Sequence, residues 1–113
     1  MEKESVEFSD FLKLDIRVGT IINAKNFEKA KNPSYQLEID FGKEIGVRKS
    51  SAQIVEKYKI EELLNKKVLA VVNFPKLQIA NFFSEVLVLG TYSKGGVSLV
   101  VPDKEVENGD ILG

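Results

Sequence analysis

A chain of 113 residues, 43% apolar and 29% charged, has material for one hydrophobic core and is too apolar to stay disordered. It holds no cysteine and no histidine, which excludes disulfides, thiolate or imidazole metal sites, and Ser-His or Cys-His nucleophile systems. The net charge of −1 is unevenly spread: residues 16–84 carry 12 Lys/Arg against 7 Asp/Glu, whereas 1–15 and 85–113 each carry 2 against 5. Such a basic middle either attracts anions over part of the surface or simply keeps a small protein soluble. Only Arg17 and Arg48 offer a rigid guanidinium fork, since the other 14 basic residues are Lys. No run approaches the roughly 18 apolar residues of a membrane helix, and Met1–Glu7 has none of the apolar core of a secretory signal. A cytoplasmic protein without membrane insertion is expected.

Ser9-Asp-Phe-Leu-Lys-Leu predicts a short helix over 8–14 with Ser9 as its N-cap, Phe8 and Phe11 supplying an apolar face. From Asp15 the period becomes two, which places Ile16, Val18, Ile22 and Ala24 on one side and Arg17, Gly19, Asn23 and Lys25 on the other. Gly19 inside that strand predicts a bulge or bend. Tyr35, Leu37, Ile39 and Phe41 alternate with Gln36, Glu38 and Asp40 in the cleanest strand of the chain. Phe41–Ile45 then reads as a hairpin turn into a third strand, Ile45–Lys49. Ser50 with Gln53 three residues on fits a capping box, opening a short broken helix with Ile54, Tyr58, Leu63 and Leu64 on one stripe. Val68–Val72, Glu85–Leu89 and Gly96–Val101 follow as strands, the last two joined through Ser93-Lys-Gly-Gly.

Three strands, a helix and further strands define an all-β fold: the five-stranded oligonucleotide/oligosaccharide-binding (OB) barrel with its helix between strands three and four. One domain is expected over 1–113: an N-terminal helix at 8–14, the barrel at 15–90 and a C-terminal strand extension at 91–113.

No Walker or dinucleotide glycine spacing occurs, and the acidic pairs Glu61/Glu62 and Glu105/Glu107 sit where solvated charge is the ordinary role. Binding rather than catalysis is expected, with no cofactor and no metal. Three features stand out. Arg17 alternates with core positions, so its guanidinium either faces a phosphate on an open barrel face or pairs with a nearby carboxylate. Arg48, Lys49, Ser50 and Ser51 at a helix start would form an anion site, or the serines simply cap. Phe82 and Phe83 are adjacent in a strand, so one joins the core while the other is exposed, stacks on a ligand or enters an interface.

Asp15-Ile-Arg-Val-Gly-Thr-Ile, Ile39-Asp-Phe-Gly, Lys49-Ser-Ser-Ala-Gln-Ile, Val71-Val-Asn-Phe-Pro, Ser84-Glu-Val-Leu-Val-Leu-Gly and the Pro102-Asp…Asn108-Gly109 tail resemble the CsaA proteins. These belong to the family of transfer-RNA-binding OB domains, some of which are appended to aminoacyl-tRNA synthetases. The resemblance runs from about Phe8 to Gly113. It implies a homodimer, with Phe8, Phe11, Phe82 and Val101 at the interface. It also implies either unfolded or export-bound polypeptides (and with them the export machinery) or transfer RNA as ligand. The positions it carries over are Arg17, Arg48, Lys49, Ser50, Gln53, Asn73, Lys76, Ser84 and Glu85, with Phe83 beside them. Where relatives often place histidine or lysine, this chain has Asn32, Leu77 and Phe83. Fewer phosphate contacts weaken RNA binding and flatten its salt dependence, which favours polypeptide.

Overall fold

The computed structural model describes residues 1–113. Its axis is an eleven-residue strand, β1 (Ile16–Asn26), long enough to hold different neighbours along its two halves. On one edge it pairs antiparallel with β4 (Lys67–Val71), from Ile16↔Val71 to Thr20↔Lys67. On the other, its C-terminal half pairs with β2 (Tyr35–Asp40), which pairs in turn with β3 (Val47–Ala52). β7 (Leu87–Val88) adds to β4, giving the order β3-β2-β1-β4-β7. The segment 84–86 comes back against β3, where Glu85 N–H donates to the Lys49 carbonyl (2.8 Å). The sheet thus curls into a nearly closed five-stranded OB barrel with α2 (Ile60–Leu63) between β3 and β4. Two hairpins stand off it: β5 (Leu77–Ile79) with β6 (Phe82–Ser84), and β8 (Gly90–Ser93) with β9 (Gly96–Leu99).

The core has two compartments. Inside the barrel, Ile21, Leu37, Ile39, Phe41, Leu63 and Val68 are fully buried and Ile54, Val86 and Leu99 nearly so. Outside it, Ile16, Val18, Leu69 and Val71 form a second cluster, covered by Phe11, Leu89, Val100 and Val106. This corrects the expected facing of β1. Ile16 and Val18 point out of the barrel, and the inward row is Arg17, Gly19, Ile21 and then Ala24. A register shift between Ile21 and Asn23 switches the alternation and leaves Ile22 exposed. The bulge is therefore at Ile22 and not at Gly19. Gly19 has another role: a Cβ there would lie 2.6 Å from Ile39 Cγ2 and 2.7 Å from the Phe41 ring. Only a glycine lets the barrel wall approach those side chains so closely.

The helices are shorter than expected. α1 (Phe8–Leu12) has Glu7, not Ser9, at its N-cap; Asp10 reaches back to accept the Glu7 N–H (3.2 Å). The Ser50/Gln53 capping box does not form, because β3 runs on through Ser50 and Ser51 to Ala52. α2 is a single turn whose Glu62 accepts the Lys59 N–H at 2.8 Å. Of the expected strand Glu85–Leu89 only Leu87–Val88 forms a regular ladder, with β4, while Glu85 and Leu89 make single backbone bonds to Lys49 and Leu69. The extension is the β8–β9 hairpin and the tail. Residues 109–112 lie along the half of β1 that β2 leaves free, with Gly109 N–H to Val18 O (2.8 Å), Val18 N–H to Asp110 O (2.9 Å) and Leu112 N–H to Ile16 O (2.9 Å).

Candidate functional site

The structure separates the expected site residues into three groups. The first surrounds Arg17. On the inward row of β1, at the end of the barrel, its side chain is only 9% exposed. Nε donates to Asp15 Oδ1 (2.6 Å) and the terminal nitrogens donate to Asp15 Oδ2 (3.3 Å), Glu44 Oε1 (3.1 Å) and the Gly109 carbonyl (3.2 Å). The hydrogen bonds it donates to Asp15 first, then to Glu44, raise its pKa above the ordinary arginine value although burial opposes them. The guanidinium is thus a permanently charged plug, not the open-face phosphate contact that was one of the two expectations. Asn73 belongs to the same framework: its Oδ1 accepts from Asp15 N–H (2.9 Å) and its Nδ2 donates to the Lys13 carbonyl (2.8 Å).

The second group is the line along which β3 meets residues 84–86. Because β3 continues through the serines, no helix start gathers Arg48, Lys49, Ser50 and Ser51, and the expected anion site at a helix N-terminus is absent. Ser50 is fully buried and donates to the Val86 carbonyl (3.0 Å). Ser84 accepts the Ser51 N–H (3.0 Å), and Glu85 Oε1 accepts the Lys49 N–H (2.9 Å). Side chains thus replace ladder hydrogen bonds and close the barrel. Glu85 also holds Lys76 at 3.8 Å. Arg48 is half-buried and donates to the Ile45 carbonyl (3.2 Å). The Lys49 side chain and Gln53 are exposed beside this line.

The third group is the β5–β6 hairpin. Phe82 packs edge-on against Phe27 with ring centroids 5.3 Å apart, while Phe83 points the other way and is 52% exposed. This division is the one expected of adjacent strand residues. Phe74 (44%) and Leu77 (62%) are exposed on the same excursion; neither was among the expected site residues, although Leu77 was noted as an uncharged position. Of the residues placed at an interface, Phe8 and Val101 are exposed, and Phe11 is half-buried on the second cluster with Phe8 stacked on it at 6.2 Å.

There are two shallow clefts, one of about 290 Å³ lined by Phe27 (the ring against which Phe82 packs), Pro33, Tyr35 and Val55, and one of about 320 Å³ beside Lys66, Lys67, Val101 and Pro102. No cluster of acidic residues has the make-up of a metal site, and no helix is long and apolar enough to cross a membrane. What the molecule presents is a projecting hairpin with exposed apolar side chains beside a polar seam.

Comparison with known proteins agrees with this architecture. Residues 16–111 match the family described as "Putative tRNA binding domain". The fold superimposes on the CsaA chaperone protein from Picrophilus torridus with a TM-score of 0.92 at 51% identity, covering 96% of this chain and 100% of that one. It likewise superimposes on chaperone CsaA from Bacillus anthracis with a TM-score of 0.91 at 46% identity, covering 97% and 100%. Against the methionine–tRNA ligase of Pyrococcus horikoshii it is 42% identical over 108 residues, 96% of this chain but 14% of the ligase. The chain belongs to the tRNA-binding-domain family, as a CsaA-like member of it.

Proposed function

We propose that the protein is a non-enzymatic, homodimeric, cytoplasmic holding protein for unfolded or export-bound polypeptides, with the β5–β6 hairpin as its contact surface. The observation that carries this reading is the exposure of Leu77 and Phe83 on the two faces of one hairpin, with Phe74 exposed in the segment leading to it, where the lone cation Lys76 is already partnered by Glu85. Apolar side chains of this size favour an apolar partner by about 25 cal/mol per Å² removed from water. The likeness to two CsaA chaperones over the full length points the same way.

The test is aggregation of reduced insulin B chain, followed by light scattering without ATP. The wild-type chain is expected to suppress scattering in proportion to its concentration, and Phe83→Lys to lose most of that suppression. Full suppression by Phe83→Lys would remove the hairpin from the proposal.

A second reading, a transfer-RNA-binding module, is favoured by the family match over 16–111. Arg17 is engaged internally, so RNA contact here falls to side chains such as exposed Lys49. For that reading, Lys49→Ala is expected to weaken transfer RNA binding and to lower the slope of log K against log salt by nearly one.

A further inference from the structure

β5 is bonded to β6 along one edge and to no strand along the other. Elsewhere the edges near the barrel are covered: residues 84–86 lie against β3, and residues 109–112 lie against the free half of β1. β8 also has an open edge, but its residues are Gly90, Thr91, Tyr92 and Ser93, with Tyr92 alone large and apolar. β5 differs in carrying exposed Leu77 on one face, while exposed Phe83 stands on the other face across from Gln78.

The register shows which backbone groups are free. Ile79 faces Phe82 directly across the turn of Ala80 and Asn81, and Leu77 faces Ser84. A tight antiparallel hairpin bonds the pair that closes its turn and then every second pair, so the N–H and C=O of Gln78 turn away from β6. The Gln78 side chain does not cover them; its Nε2 donates to the Ala80 carbonyl at 3.1 Å, towards the turn. Proteins usually guard such an edge with a charge, a proline or a bulge inside the strand. Here Pro75 and Lys76 precede β5 and leave Leu77–Ile79 unguarded.

We propose that β5 is a docking strand: an extended, uncharged segment of a bound polypeptide adds to it, paired through the backbone of Gln78, its apolar side chains lying on the Leu77 and Ile79 face and its alternate ones on the opposite face, with Gln78 and Phe83. The inference rests on the polypeptide-holding function proposed above and specifies how the ligand is held. An outward N–H beside an outward C=O matches a peptide backbone, which offers both partners, whereas a phosphate backbone offers acceptors only. Affinity then comes from main-chain hydrogen bonds and little from client sequence.

The experiment measures binding of a short capped peptide alternating valine with threonine, by fluorescence anisotropy, to the full chain and to Gln78→Pro and Gln78→Val. Proline removes the outward N–H without touching a β5–β6 ladder bond. Gln78→Pro is expected to bind about 10-fold more weakly, the equivalent of one hydrogen bond, with Gln78→Val near wild type. A peptide methylated at every backbone amide is expected to lose binding to the wild-type chain, a comparison that stands even if Gln78→Pro fails to fold. Equal binding of the methylated peptide, or of Gln78→Pro, overturns strand addition while leaving polypeptide holding intact. Failure of the wild-type chain to bind the peptide while it still protects insulin B chain does the same. Failure of both overturns the proposed function as well. A change in sedimentation of Gln78→Pro without peptide would assign the edge to a second copy of the chain, which also refutes the inference.

Discussion

Replacing Arg17 with Met separates a structural guanidinium from a ligand contact. Met keeps most of the buried stem and deletes four hydrogen bonds. The bonds are unequal. Asp15 takes two of them from a side chain one-third exposed, whereas Glu44 is 75% exposed, so solvent weakens its share to a few tenths of a kcal/mol. Charge-assisted bonds in partly buried surroundings contribute about 1.5–3 kcal/mol to stability, and the Gly109 carbonyl bond, which also ties down the tail, adds about 1. Neither carboxylate is left buried without solvent, so the larger penalty of an orphaned interior charge does not apply. The sum is about 3 kcal/mol for Arg17→Met, with under about 0.5 for Glu44→Ala. For a domain of this size that is a fall in Tm of roughly 12 °C. Chemical denaturation gives the free energies and anisotropy with labelled transfer RNA gives the binding. Stability within 0.5 kcal/mol of wild type combined with a tenfold loss of RNA affinity would refute the reasoning, because a plug cannot be removed without loosening what it holds.

Three further outcomes follow from the same geometry. Ser50→Ala leaves the buried Val86 carbonyl with only the long bond from the Ser84 hydroxyl (3.5 Å) and is expected to cost about 1–2 kcal/mol, with faster hydrogen exchange in β3 than in β2. Gly19→Ala places a methyl 2.6 Å from Ile39 Cγ2 and is expected to cost about 1–3 kcal/mol by overpacking, read from the denaturation midpoint; Ile39→Val should recover part of it. Ala80 sits at φ 53° in the β5–β6 turn, so Ala80→Gly is expected to raise stability by about 0.5–1 kcal/mol without altering peptide binding.

How much of this was legible depended on how many faces of each strand are covered. β2 was plain because one face is buried: Tyr35, Leu37 and Ile39 go inward and Gln36, Glu38 and Asp40 are half-exposed. β1 was misread because both faces are covered, the inner one by the barrel core and the outer one by α1 and the extension. Its residues from Ile16 to Gly19 are therefore all buried. Alternation alone then fails to say which apolar set is inside, and the bulge reverses the answer halfway along. Ser50 and Gln53 have the spacing of a helix start, but the partner that decides the serine's role, the Val86 carbonyl, is 36 residues away. At the candidate surface, the Phe82–Phe83 pair announced an exposed aromatic, since neighbours on a strand cannot share a face. The exposure of Phe74 and Leu77 was hidden, because nothing in their own neighbourhood tells a projecting hairpin from a buried one.

The contact between β1 and residues 109–112 has a consequence for how the molecule comes into being. Arg17 and Gly109 are 92 residues apart, so β1 leaves the ribosome early with half of one edge bare and the Arg17 charge unpartnered on that side. That edge is filled only after almost the whole domain has been translated. Until residues 109–112 are available, that half of β1 is an unpaired strand edge, the kind of surface that aggregates in an incompletely folded chain.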